Sequence, residues 1–320
     1  MALDSAKTLT TTMSQGIRNR FYDEVFLRIA EANMVHKQLG QLNRDIPAGQ
    51  GGYGTGVIYW TRWVNLPLVT AGQGEGVPTT AVSMSAANVT GSTAQYDAAV
   101  SISDIVAKAS FGDVMKAAME RLAYNASESI DTIIRNVIST GGTQQNATGV
   151  ANFTAVPATA VLTVAEIRKA TRTLKRNNAN QVNGAFVGVL HPDASYDIMG
   201  DTTTGAWVTT NQYNNAEKIF YAEIGRLYGV RFLETSNAYV GRGTGVATSG
   251  TVYTTSIFGS DAFGVTNFQN LRTYVKGFES GGTGDPTEKV ATAGWKTAFG
   301  TAVLNSAYFV NINHAVSSTA

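Results

Sequence analysis

Apolar residues recur at three- and four-residue intervals through residues 111–139: Phe111, Met115, Met119, Leu122, Ala126, Ile130, Ile133 and Val137. That spacing draws one stripe along a helix. It predicts the longest helix of the chain, about 40 Å from Phe111 to Ser139 at a rise of about 1.5 Å per residue. Thr140-Gly141-Gly142 closes it, and a helix of that length acts as a strut. A second helical pattern runs from Gln15 to Leu39, with Ile17, Phe21, Val25 and Ile29 on one side and Phe26 and Leu27 widening the apolar surface. It reads as a core helix or as an arm lying across a neighbouring subunit. TVAEIRKATRTLKRNN (163–178) predicts a third helix, with Thr163 as N-cap and Glu166 at the capping-box position. Val164, Ile167, Thr171 and Leu174 face inward there, which leaves Arg168, Arg172, Lys175 and Arg176 on an adjoining face.

Between Phe186 and Gly264 strand and helix signals alternate. FVGVLH (186–191) is a short strand, and HPDASYDIM reads as a helix opened by Pro192. AEKIFYAEIGRLYG (216–229) predicts a helix closed by Gly229, followed by the strand VRFLET (230–235). VYTTSIFGSDAFG (252–264) is a strand stopped by a Gly-Ser-Asp turn. Residues 240–250 form a loop, LRTYVKGF (271–278) a strand, ESGGTGDP (279–286) a turn and AVLNSAYFVNI (302–312) a final strand. Helices and strands intermix, so the class is α+β.

Ile46 to Val100 breaks this pattern. The stretch is rich in glycine, holds Pro47, Pro67 and Pro78, and carries only Arg62, Glu75 and Asp97 as charged residues after Asp45. VIYWTRWV (57–64) is strongly β-prone, yet it sets Tyr59 and Trp63 on one face and Ile58 and Trp60 on the other. A surface hairpin has one polar face. Two apolar faces predict a long β-loop that is covered by a core or by a neighbouring chain.

Composition sharpens that reading. Charged residues make up 15% of the 320-residue chain and the net charge is +1, so no overall field gathers nucleic acid, a membrane or an acidic partner. A weakly charged surface suits a chain that buries much of itself against copies of itself. The chain has no cysteine, which excludes disulfides, zinc-thiolate sites and thiol nucleophiles. The opening MALDSAKTLTTTMSQ has no apolar core for a signal peptide, and no window reaches the roughly 20 apolar residues of a membrane helix. A product made in a bacterial cytoplasm is the expectation.

Candidate chemistry is sparse. Gly49-Gln-Gly51-Gly52-Tyr-Gly54 has dinucleotide-like glycines, but no strand precedes it and a strand rather than a helix follows. The histidines, His36, His191 and His314, lack metal-site spacing. His191 and Asp193 flank a proline where acid–base chemistry and helix capping both fit, and capping is the simpler account. The basic cluster Arg168, Arg172, Lys175 and Arg176 is a solvated face or a non-specific contact to phosphates. No enzyme, cofactor or metal site is expected.

Several segments together resemble the major capsid proteins of tailed bacteriophages, the group typified by phage N-four. They are LPLVTAGQGEGVP (66–78), VSISDIV (100–106), the long helix 111–139, VLHPDASYDIM (189–199), AEIGRLYGVRFLETSNA (222–238), IFGSDAFG (257–264) and GDPTEKVATAGWKTAFGTAVLN (284–305), the last centred on Trp295-Lys296. The resemblance implies the Hong Kong phage capsid fold. Its parts would be an N-terminal arm (1–45), an extended β-loop (46–100), a peripheral domain with the spine helix (101–183), an axial domain (184–270) and strands returning to the peripheral domain (271–320). It implies hexamers and pentamers closing into an icosahedral virion shell, with a scaffolding protein, a portal, a cement protein and packaged double-stranded DNA as partners, and no membrane. A cellular nanocompartment shell of the same fold is the alternative. Tyr53, Tyr59, Trp60 and Trp63 are the candidate intersubunit contacts, with packing inside their own chain as the competing account. Arg168, Arg172, Lys175 and Arg176 are the candidate DNA-facing patch. Some relatives cross-link through a lysine in the extended loop. No lysine lies between Lys37 and Lys108, so a non-covalent shell is expected.

Overall fold

The computed structural model describes residues 24, 26–30, 34–42 and 57–317, except 65, 73, 77, 80, 111, 202–222, 243–250 and 279–285. The expectations for Tyr53, the glycines 49–54, the arm 1–15, Ile17, Phe21 and Val25 of the helix 15–39, Phe111, residues 216–222 of the helix 216–229, and most of the loop 240–250 and of the turn 279–286 lie outside the described residues. Phe26–Ala30 is helical, and the later elements are α1 (Val35–Leu39), β1 (Gln41–Leu42), β2 (Val57–Trp63), β3 (Ala86–Ser103), α2 (Asp104–Ala109), α3 (Val114–Thr140), β4 (Thr143–Asn146) and α4 (Val164–Arg176). There follow β5 (Phe186–Leu190), α5 (Pro192–Gly200), β6 (Glu223–Leu227), β7 (Val230–Glu234), β8 (Val240–Arg242), β9 (Thr251–Phe258), β10 (Phe263–Lys276), β11 (Val290–Val303) and β12 (Phe309–His314).

Two sheets share one helix. A five-stranded sheet runs β1-β10-β11-β3-β2, and a seven-stranded one runs β4-β12-β9-β5-β7-β6 with β8 beside β9. The predicted strut is α3, capped at its start by the Asp113 carboxylate, which accepts from the Lys116 amide at 3.1 Å. Its buried face carries Met119, Leu122, Ala126, Ile130, Ile134 and Ile138. One apolar cluster joins these to Val189 and Phe258 of the seven-stranded sheet and to Phe263, Trp295 and Phe299 of the five-stranded sheet. Beyond Ile130 the stripe falls on Ile134 and Ile138 rather than on Ile133 and Val137, which are half-buried. A step of four residues turns about 40° past a full revolution, so the buried line drifts round a straight helix. On the other side of the seven-stranded sheet, Ile167 and Leu174 of α4 and Ala194 and Ile198 of α5 close a second core with Phe186, Phe232 and Ile257.

The C-terminal end of α3 is held by a residue 170 to 173 positions away. Asn311 of β12, fully buried, places its amide nitrogen 2.8 Å from the Ile138 carbonyl, 3.1 Å from that of Ser139 and 2.7 Å from that of Gly141. Its own carbonyl accepts from the Ser256 hydroxyl at 2.8 Å. Carbonyls that a helix end leaves without partners are satisfied this way. Gly142 follows at φ +76°, with the Phe309 ring lying where a Cβ would stand. Glycine alone fits there.

Three expectations are corrected. Glu223–Leu227 is a strand, not the end of a helix, and it turns back onto β7 through Tyr228 and Gly229, at φ 48° and 82°. Two successive positive φ values make the tight hairpin turn that matches strand twist; Gly229 serves a helix end or a hairpin equally well, which is why the pattern misled. The run 302–312 is two strands, because the Asn305 side chain accepts from the Ala307 amide at 3.2 Å and folds the chain through a short 3-10 turn. Thr163 precedes α4 without a side-chain cap bond. Glu166, expected to complete a capping box, is buried, accepting from Gln145 Nε2 and Lys169 Nζ, each at 2.7 Å.

His314 lies wholly buried at the end of β12. Its Nδ1–H donates to the Ala315 carbonyl at 2.8 Å, so Nε2 accepts from the Thr255 hydroxyl at 2.9 Å. Burial disfavours the charged ring and pulls its pKa down to about 4 from 6.5. A folded value below the unfolded one means the stabilisation is complete above pH 6.5 and is lost as pH falls toward 4. Wild type should therefore lose about 2–3 kcal/mol more stability than His314→Gln between pH 7.5 and pH 4.5, read from urea unfolding midpoints at the two pH values.

Candidate assembly surfaces

Strand β2 divides the candidate aromatics. Ile58 and Trp60 turn inward onto Ala302, Val89 and Leu304. The Trp60 ring is pressed between two backbones. A Cβ on Gly91 would come 2.6 Å from it, and one on Gly264 would come 2.8 Å from its Nε1. Trp60 is only 8% exposed, so the internal-packing account describes it and its ring is not offered to another molecule. Tyr59 and Trp63, on the opposite face, are 58% and 61% exposed. Alternation along an edge strand produces this split. Tyr53 lies outside the described residues.

Past β2 the chain runs from Val64 to Ser85 with no regular structure among its described residues, and Val64 N–H donates to the Ser85 carbonyl across the base of the loop at 3.0 Å. Leu66, Leu68, Val69, Val82 and Met84 are exposed there, Leu68 at 90%. Leu66, Leu68 and Val69 lie in the segment 66–78 that carries the family resemblance, but none of the five was named as a contact, although the unbroken Leu-Pro-Leu-Val run was the available signal. Strand β2 ends its sheet, so among the described residues one of its edges has no partner strand. A cleft of about 560 Å³ lies beside it, lined by Tyr59 to Trp63 and, across the gap, by Asn180, Asp261 and Tyr308.

The basic candidates do share one face. Arg168, Arg172, Lys175 and Arg176 are all exposed on α4, with Ile167, Ala170 and Leu174 fully buried behind them. The Arg168 guanidinium lies 5.5 Å over the Tyr228 ring of the β6–β7 turn, a cation–π contact that extends the patch onto the hairpin. The only acidic residue of α4, Glu166, is buried and paired with Lys169. The face therefore has no counter-charge of its own on the helix.

The residues weighed for acid–base chemistry are engaged in building α5. His191 Nδ1 accepts from the Asp193 amide at 3.2 Å, and the Asp193 carboxylate accepts from the Tyr253 hydroxyl at 2.8 Å. Burial first, then that bond, pushes the Tyr253 pKa up to about 12. Ser195 donates to the Pro192 carbonyl at 2.8 Å. Tyr253 sits between His191 and His314, with ring centroids 5.0 and 6.3 Å away. Among the described residues no three His, Cys, Asp or Glu side chains cluster to hold a metal ion.

Replacing Trp60 by Ala should destabilise the isolated subunit by about 3–5 kcal/mol, because the ring leaves a cavity between two backbones that cannot collapse onto it. Equilibrium unfolding of the purified subunit measures this.

A sequence profile of the phage capsid protein family matches residues 70–316. A comparison with curated protein sequences finds no match. Among solved structures the chain is similar to the capsid of Ralstonia phage GP4, with a TM-score of 0.68 at 12% identity over 83% of this chain and 85% of that one. It is also similar to the capsid of cyanophage Pam1, TM-score 0.65, 14% identity, 88% and 89% covered. The capsid of cyanophage P-SCSP1u gives a TM-score of 0.64 at 15% identity, covering 89% of each chain. Two sheets on one long helix, a projecting β-loop and this match to most of the sequence agree: the chain belongs to the phage capsid protein family and is a major capsid protein with the Hong Kong phage capsid fold.

Proposed function

We propose that the chain forms the shell of a tailed double-stranded DNA bacteriophage, assembling as hexamers and pentamers into an icosahedral particle around the genome, in the cytoplasm of a bacterial host. Its role is structural, with no reaction to catalyse. The observation that carries this reading is the uncovered β-loop. Leu68 at 90%, Val69 at 81% and Trp63 at 61% exposure form an apolar surface that a monomer would not leave in water. A second copy of the chain covers it, and the head-to-tail relation this sets up closes into rings. Many modest contacts of this kind add up to a stable particle. Residues 46–100 then act as the extended loop, 101–183 with α3 as the peripheral domain, 184–270 as the axial domain and 271–320 as the returning strands, with residues 1–45 as the arm. The match to a phage family favours this reading over a cellular nanocompartment.

A loop without lysine leaves the shell non-covalent, held with the help of a cement protein; a scaffolding protein and a portal complete the assembly set. The α4 face carrying Arg168, Arg172, Lys175 and Arg176 meets packaged DNA through phosphates, with no base reading.

Tyr59→Ala with Trp63→Ala should leave subunit stability within about 1 kcal/mol of wild type, since both rings are exposed, and should abolish closed shells, since aromatic anchors dominate such contacts. Electron microscopy beside equilibrium unfolding measures both; normal shells from the double variant would refute the loop assignment. Changing the four basic residues of α4 to Gln should flatten the salt dependence of DNA binding by roughly 3 in the slope of log K against log salt, measured by titration of subunits with duplex DNA.

A further inference from the structure

Asp131 lies in the middle of the buried face of α3 and is 1% exposed. A lone carboxylate there is costly, and among the described residues the hydrogen bonds it accepts come from outside α3. Its Oδ1 accepts from the His36 amide at 2.7 Å and the Lys37 amide at 3.4 Å. Its Oδ2 accepts from His36 Nδ1 at 2.7 Å and from Asn237 Nδ2 at 3.3 Å. Met34, which precedes α1, makes no side-chain cap bond. Asp131 thus does for α1 what an N-cap residue does, from a different helix. Asn237 is held in turn by Arg135, whose Nη1 donates to its side-chain oxygen at 2.8 Å, and by the Thr132 hydroxyl at 3.2 Å.

Apolar packing does not supply this specificity. The N-terminal segment presents Phe26, Ala30 and Met34 to a spine whose apolar residues repeat every four positions, Leu122, Ala126, Ile130, Ile134 and Ile138. Sliding the segment by one turn, about 5 Å, replaces one aliphatic contact by another. The carboxylate does not repeat along that face: one turn earlier the equivalent position is Ser127, whose hydroxyl donates to the Tyr124 carbonyl at 2.8 Å. Buried polar pairs serve best as register devices of this kind.

We propose that Asp131 is a positioning residue that pins the N-terminal segment at one register along α3, and so sets where that segment leaves the subunit toward its neighbours. The consequence for neighbours rests on the shell reading above; the pin does not. The chain has no cysteine, so spin labels on Glu24→Cys and Tyr124→Cys, both exposed, report the register by double electron–electron resonance. With Asp131 in place a single narrow distance is expected. His36→Leu with Asp131→Leu removes both partners of the buried pair, while Arg135 keeps its bonds to Asn237 and Asn136, so the unfolding midpoint should hold while the distance splits into values about 5 Å apart. Exchanging the two spine residues, Ser127→Asp with Asp131→Ser, should move the single distance by about 6 Å.

An unchanged single distance in both variants overturns the pin. So does a His36→Leu/Asp131→Leu chain that no longer folds, since the pair would then carry stability rather than register. Uniform shells of wild-type form from a double variant with split distances would overturn the link to assembly, whereas shells of mixed size support it. Absence of shells from the wild-type chain would count against the shell reading and leave the pin standing.

Discussion

A single helix has to be buried by two sheets at once, and the rest of the subunit is arranged to satisfy that demand. The apolar face of α3 is too long for either sheet to cover. Phe258 and Phe263, ring centroids 5.4 Å apart and edge to face, are the last residue of β9 in one sheet and the first of β10 in the other, joined by four residues. At that corner the two sheets meet under the helix. Trp295 of β11 adds a donor to the same contact, giving its indole N–H to the Asn125 side chain at 3.1 Å. The helix is tied at its far end by Asn311. Strut and sheets are therefore one body, and the projecting β-loop gains a rigid base.

That rigidity explains how one strand serves two purposes. Strand β2 fastens through Trp60, whose ring fits only because Gly91 and Gly264 carry no Cβ. Fastened on one face, it can present Tyr59 and Trp63 on the other without leaning inward to hide them. Exposed aromatics on an anchored strand lose little side-chain freedom when a partner covers them. The same logic holds on α4, where a fully buried row beneath the helix keeps the basic row outward.

Polar groups inside the subunit are placed rather than tolerated. Thr254 donates to Asn313 at 2.8 Å, and Asn313 donates in turn to Asn146 and Gln144 at 2.8 and 3.1 Å. With Ser256 and Asn311 these make a seam of satisfied amides and hydroxyls on β9, β12 and β4. Apolar contacts accept many alignments, while hydrogen bonds accept few. A shell built from many copies needs each copy to be the same shape, and such seams, like the carboxylate of Asp131, remove alternatives.

Much of this was legible from the order of residues. The helical period of 111–139, the Gly-Gly stop, the inward row of α4 and the two-sided apolar character of residues 57–64 are local properties, set by side-chain spacing along 3.6- and 2-residue periods. Low charge likewise spoke of a chain that meets its own kind. The rest was decided by contacts distant in sequence. Gly229 could close a helix or turn a hairpin until β7 supplied the pairing, Glu166 was drawn from a cap into a core by Gln145, and Trp60 parted from Trp63 only when two remote glycines received its ring. Asp131 carried no local mark of its partner, because His36 is 95 positions away and only the folded chain brings a carboxylate and a helix start to the same place.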